Sequence, residues 1–346
     1  MKKIMISFAA LAAISLLASC TKEEPAQKEP CGCPARVRVA VSTPFETKAT
    51  GVSDDASDTK KVNSIQVFAF DADGILRGYE GDQAASSVTL QLNTGEEYTF
   101  YAVVNNAASG GWKYPSVASV TAASELGAIM TDLSKNSTDD LLMFSQQGVK
   151  KTITASVSEV SIDVTRLVSK VQLKKVAVDF SSNAVLKRKS LKIDSIYVIN
   201  AAMQETFGLS PAASVSYYNP RKYVSGDGNA LLCDALASPF EISTSSGTAV
   251  DYTTAHTFFA YGNAAAGDDV TRLVVSCNWG GKRTYYPINI VGSDSKLSPN
   301  CAYVVNQLTI KGLGSDDPNV VPERKSFSAS VTIRNWETGF EKTVDL

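Results

Sequence analysis

The chain has 346 residues, 44% of them apolar and 20% charged, with a formal net charge of −2. That length suffices for two ordinary domains, and the balance is that of a globular chain without the basic excess of a nucleic-acid binder. A single histidine, His256, excludes a multi-histidine metal centre and leaves one candidate for any imidazole triad, so no metal or cofactor is expected.

The N-terminus reads as an address. Lys2 and Lys3 precede an apolar run from Ile4 to Leu17, too short to span a bilayer comfortably. Leu17-Ala18-Ser19-Cys20 follows and resembles a bacterial lipobox, which makes residues 1–19 a signal peptide and Cys20 the lipidated first residue. Residues Thr21 to Pro34 are polar, carry Pro25, Pro30 and Pro34, and read as a tether. Cys31 and Cys33 sit there with no other ligand nearby, as a chance pair. Cys233, Cys277 and Cys301 lack metal-ligand spacing and allow at most one disulfide among them.

Strand patterns dominate the rest. Val37, Val39 and Val41 alternate with Arg38 and Ala40. Ile65 to Phe70 is apolar on both faces and should be buried, and Asp71-Ala72-Asp73-Gly74 supplies a hairpin turn. Val88, Leu90 and Leu92, then Tyr98 to Val104, continue the alternation. Leu126, Ile129, Met130 and Leu133 recur at helical spacing, which predicts one helix over Ala122 to Leu133 with Ser124 near its start. Further strands are expected at Val171–Val178, Ile193–Val198, Leu273–Cys277, Tyr285–Ile290, Tyr303–Ile310, Phe327–Ile333 and Phe340–Leu346.

Lys61-Val62-Asn63-Ser64-Ile65-Gln66-Val67 aligns with Lys192-Ile193-Asp194-Ser195-Ile196-Tyr197-Val198, and Gly95-Glu96-Glu97-Tyr98 aligns more loosely with Asn300-Cys301-Ala302-Tyr303. A repeat at this spacing predicts two similar domains rather than a solenoid. The expected fold is mainly β: two β-sandwiches in tandem, with one short helix in the first. The boundaries are 20–48 for the tether and opening strand, 49–159 for the N-terminal sandwich and 160–346 for the C-terminal one. Val37–Val41 then corresponds to the strand that precedes the second copy. Between it and the first repeat lies Thr43 to Lys61, a polar loop with Lys48, Lys60 and Lys61 open to a trypsin-like protease.

With these features the sequence resembles the fimbrillin family, the type V pilins. The resemblance rests on the lipobox and on Lys48-Ala49-Thr50-Gly51-Val52-Ser53-Asp54-Asp55. It continues with Arg166-Leu167-Val168-Ser169-Lys170-Val171, Asn300-Cys301-Ala302-Tyr303 and Leu308 to Pro318, followed by a strand running into Trp336. The resemblance implies that both sandwiches are Greek-key and transthyretin-like, and it implies an outer-membrane lipoprotein precursor with cleavage between Lys48 and Ala49 by a trypsin-like protease. The strand of Val37, Val39 and Val41 would then leave, and a C-terminal strand of another subunit would replace it. The family cut commonly follows arginine; here lysine stands in its place. The candidate donor residues are Phe327, Val331, Ile333 and Trp336, or Phe340, Val344 and Leu346. The partners implied are further fimbrial subunits, the outer membrane, the protease and a host receptor. Trimmed after Lys48, the chain loses seven basic and four acidic residues, and its formal charge moves from −2 to −5.

Two other readings compete. An anchor, tip adhesin or glycan-binding lipoprotein would present aromatics such as Trp112, Tyr114, Tyr217, Tyr218, Trp279, Tyr285 and Tyr286 to a sugar. An enzyme would need more than the Ser-x-x-Lys spacings at Ser57–Lys60 and Ser293–Lys296, which lie in polar loops without their partner motifs. No enzymatic activity is expected.

Overall fold

The computed structural model describes residues 34–43, 61–154, 159–181, 183–209, 215–224, 230–323, 325–335 and 341–345. The lipobox with Cys20, the Cys31/Cys33 pair, Lys48, Ala49, Trp336, Phe340 and Leu346 lie outside them.

In the first half, alternating residues form β1 (Pro34–Ser42), β2 (Ile65–Phe70), β3 (Leu76–Asp82), β4 (Ser87–Asn93) and β5 (Glu97–Val104). A helical turn, α1 (Ala123–Gly127), and a short strand, β6 (Met130–Asp132), follow. Then come β7 (Met143–Phe144), β8 (Val149–Thr152), β9 (Glu159–Asp163) and β10 (Thr165–Arg166). One sheet has the order β9-β1-β4; the other has β10-β7-β5-β2-β3, with β8 also on β5. Their facing sides enclose Val37, Val39, Val67, Leu90, Phe100 and Ile162 in one apolar core.

The second half consists of β11 (Val168–Leu173), β12 (Val176–Val178), β13 (Leu191–Ile199), β14 (Gln204–Thr206), β15 (Cys233–Ser243) and β16 (His256–Tyr261). It continues with β17 (Arg272–Trp279), β18 (Lys282–Asn289), β19 (Cys301–Ile310), β20 (Phe327–Asn335) and β21 (Glu341–Asp345). Its sheets have the orders β16-β11-β19-β20-β21 and β15-β13-β17-β18.

The halves share one wiring. β1 pairs parallel with β9 and antiparallel with β4, as β11 pairs parallel with β19 and antiparallel with β16. β2 lies antiparallel between β3 and β5, as β13 lies between β15 and β17. The aligned segments Lys61–Val67 and Lys192–Val198 therefore fall on corresponding strands. The chain is mainly β with two tandem sandwiches.

Four expectations are corrected. The helix ends at Gly127, because Met130–Asp132 is drawn into an antiparallel ladder with β14 of the second half, which overrides the helical spacing. Its start is held by the Glu125 carboxylate, which accepts from the backbone of Thr121 and Ala122, and not by Ser124. The sheets change over after Arg166, because β9 and β10 complete the first half; residues 160–166 thus lie on the N-terminal side of the boundary drawn at 159/160. The looser match of Gly95–Tyr98 with Asn300–Tyr303 pairs strands that do not correspond, since β5 is the counterpart of β17.

Candidate functional site: the first strand and its slot

β1 is an interior strand. Pro34–Ala40 pairs with Asn93–Ser87 of β4 on one side, and Arg38–Ser42 pairs with Glu159–Asp163 of β9 on the other. Period-two alternation sends Val37 and Val39 into the core, both fully buried, with Ala35 and Val41 partly buried at the ends of the row. Arg38 points outward to Glu159 at 3.2 Å, an exposed pair of small energetic weight. Ser42 donates to the Asp163 carboxylate.

The terminal strands form the corresponding surface of the second half. β20 lies between β19 and β21, with Phe327, Ala329 and Val331 buried and Ile333 packed against the core. This row has the same period and the same number of apolar positions as Ala35, Val37, Val39 and Val41, and both strands have nine residues. β21 is the outer strand of that sheet, and its Val344 stands opposite Val331 in the register. In the first half no strand described lies beyond β9, the counterpart of β19.

The junction between the halves is tight. β6 and β14 pair over three residues, and Gly208 donates to the Gly127 carbonyl at 2.9 Å. Phe207 is fully buried, 5.5 Å from the Phe144 ring and 6.1 Å from that of Tyr114. Its carbonyl accepts from the Gln146 amide at 2.9 Å. Glu205, buried here, has its carboxyl raised by desolvation, although it accepts from the Thr206 amide. This junction carried no motif; Phe207 has no sequence partner that would mark it.

Little else has the makings of a site. The lone histidine is buried, with Nδ1 2.7 Å from Asp234 and Nε2 2.7 Å from the Tyr252 hydroxyl, a satisfied pair of bonds without a nucleophile. Cys233, Cys277 and Cys301 are free thiols, and Cys277 is buried in β17 as its alternation predicts. Among the described residues no group of three His, Cys, Asp or Glu side chains is placed to hold a metal. Of the aromatics considered for a sugar platform, Tyr114, Trp279 and Tyr286 are buried and the other four half-buried.

The comparisons agree with the wiring. The sequence profile of the family described as Major fimbrial subunit protein (FimA) matches residues 35–175, from β1 into the second half. No curated protein sequence matches the chain. Among solved structures, a candidate cell adhesion protein from Bacteroides eggerthii is similar with a TM-score of 0.65 at 19% identity, over 88% of this chain and 97% of that one. A candidate cell adhesion protein from Parabacteroides distasonis gives a TM-score of 0.61 at 15% identity, over 90% and 99%. A fimbrilin from Porphyromonas gingivalis gives 0.57 at 15% identity, over 88% and 98%. Residues 35–175 thus match the profile of the major fimbrial subunit family, and over most of its length the chain has the fold of the fimbrilin and of the two candidate adhesion proteins.

Proposed function

We propose that the chain is a polymerising subunit of a cell-surface fimbrium and has no enzymatic activity. It is exported as an outer-membrane lipoprotein through Cys20 and cut between Lys48 and Ala49 by a trypsin-like protease. It joins the next copy when a terminal strand fills the slot that β1 vacates. One observation carries this reading: β1 is an interior strand joined to the rest of the fold only through residues 43–64. A cut in that connection leaves β1 held by its two ladders and by two buried valines worth about 1.5–3 kcal/mol each. Its departure exposes facing edges of β4 and β9, the situation that favours strand addition.

β20 is the better fit for the slot, because its row Phe327, Ala329, Val331 and Ile333 repeats the spacing of the β1 row. β21, at the sheet edge, leaves first and frees it. Each copy gives one strand and receives one, so the contact is head-to-tail and extends into a filament.

Replacing Lys48 by alanine tests the scheme, with N-terminal sequencing and electron microscopy as readouts. A retained precursor beginning at Cys20, without filaments, is the expected result. Cutting at Lys60 or Lys61 instead would move the site and keep the mechanism. Filaments built from subunits that still begin at Cys20 would overturn it.

A further inference from the structure

The end of the second sandwich far from the junction concentrates positive charge in an otherwise acidic chain. Lys187, Arg188 and Lys189 precede β13, Lys192 lies within it, and Lys282 and Arg283 open β18; all six are exposed. The register brings them together. Leu191 stands opposite Trp279 and Lys192 opposite Asn278, while Trp279 and Asn278 stand opposite Lys282 and Arg283. The Gly280 amide donates to the Ser190 carbonyl at 3.0 Å, which ties the β17–β18 turn to the lysine run.

The neighbouring acids neutralise only part of the cluster. Glu241 pairs with Lys192 and Asp194 with Arg283, each at 3.7 Å, whereas among the described residues Lys187, Arg188, Lys189 and Lys282 stand in no ion pair. Asp179 lies near Lys187 but is shared with Lys311, and its carboxyl is held low first by Ser181. Within a Debye length of about 8 Å such a group of cations repels itself, and a bound polyanion relieves that repulsion.

An open cleft lies among these residues, lined by Ser190, Lys192, Asp194 and Asn278 over the two glycines of the turn. One Asp194 oxygen is buried against Arg283, and the side chain, 19% exposed, borders the cleft with the rest of its carboxylate. A carboxylate oxygen in that position accepts from a hydroxyl and repels a phosphate. No aromatic side chain lines this cleft, so it offers no plane for base stacking. Cations beside a hydroxyl, an amide and a partly exposed carboxylate match an anionic sugar better than a nucleic acid.

We infer that this pole of the second sandwich is a binding site for an acidic polysaccharide: the cluster holds sulfate or carboxylate groups, and Asp194 takes a sugar hydroxyl. The site is complete in the uncut chain and does not depend on strand exchange.

The test is binding of a sulfated heparin-derived oligosaccharide to the full, uncut chain, measured by titration calorimetry at two salt concentrations. The triple change Lys187→Glu, Lys189→Glu, Lys282→Glu should weaken binding by at least about tenfold and flatten its salt dependence. Reversing Lys150 and Lys151, exposed on β8, should leave it within about twofold, and all variants should melt as the parent does. Asp194→Ala should weaken the oligosaccharide several-fold while leaving inorganic polyphosphate binding no weaker. Equal losses at both lysine sets would overturn the inference, as would tighter binding of a single-stranded oligonucleotide of equal charge. Sedimentation in which the triple change only abolishes self-association would assign the pole to a second copy instead, and overturn it too.

Discussion

Tyr98 and Tyr303 close the starts of their strands with the same bond. The Tyr303 hydroxyl accepts from the Ser298 amide at 2.8 Å, and the Tyr98 hydroxyl accepts from the Asn93 amide at 3.3 Å, each reaching five residues back. The loose match between Gly95–Tyr98 and Asn300–Tyr303 therefore marked a shared local device rather than corresponding strands. Tyr303→Phe leaves a partly buried donor unpaired and should cost about 1–2 kcal/mol, read as a lower denaturant midpoint with an unchanged slope. The longer bond makes Tyr98→Phe the milder change. Burial pushes the Tyr303 and Tyr114 phenols up to about 12 in each case. An exposed phenol loses its proton near pH 10, so between pH 10 and 12 the unfolded chain binds fewer protons than the folded one. The stability these two contribute is whole below pH 10 and falls as pH rises toward 12. Denaturant melts at pH 8 and pH 11 should show the drop, and replacing both tyrosines by phenylalanine should shrink it.

At the scale of elements, strands were legible where one face or both meet a core. The alternation of Val37, Val39 and Val41 located β1, and the unbroken apolar run of β2 announced its two buried faces. What alternation cannot show is which strands lie side by side. The β1–β9 pairing that makes β1 interior and the β6–β14 ladder join residues more than 70 apart along the chain. That is also why Leu126, Ile129, Met130 and Leu133 read as one helix although α1 stops at Gly127. The interior place of β1 makes a direct prediction. Arg38 and Thr89 are exposed and directly opposed across the antiparallel ladder, a separation within reach of a disulfide. With both changed to cysteine and oxidised, β1 should stay in its sheet after the loop is cut, and the chain should remain monomeric by size-exclusion chromatography. A reductant should restore assembly. Filaments formed under oxidising conditions, with the disulfide shown intact by mass spectrometry, would mean that β1 need not leave.

For the molecule as a whole, the loss of an interior strand poses a problem of survival. The sheet carrying β2 and β5 meets the β1 sheet with Val67, Ala69, Phe100 and Ala102. Its opposite face presents Phe68, Phe70, Val103 and Phe144, which belong to one continuous core running through the junction into the second sandwich. That sheet therefore keeps the packing of this opposite face when β1 goes, while β4 and β9 lose the strand that joins them. Phe207 is the second half's contribution wedged between Phe144 and Tyr114, and none of its neighbours in sequence forecast that role. Phe207→Ala should cost the intact chain about 3–5 kcal/mol, the usual range for emptying a buried aromatic position. The intact variant should still fold, because β1 continues to tie its sheet together. A chain beginning at Ala49, already missing that strand, has less stability to lose. It should keep its sheet signal by circular dichroism when Phe207 is present and lose protection of residues 61–154 against proteolysis when alanine replaces it. Equal protection in the two trimmed forms would show that the opened sandwich stands without its neighbour.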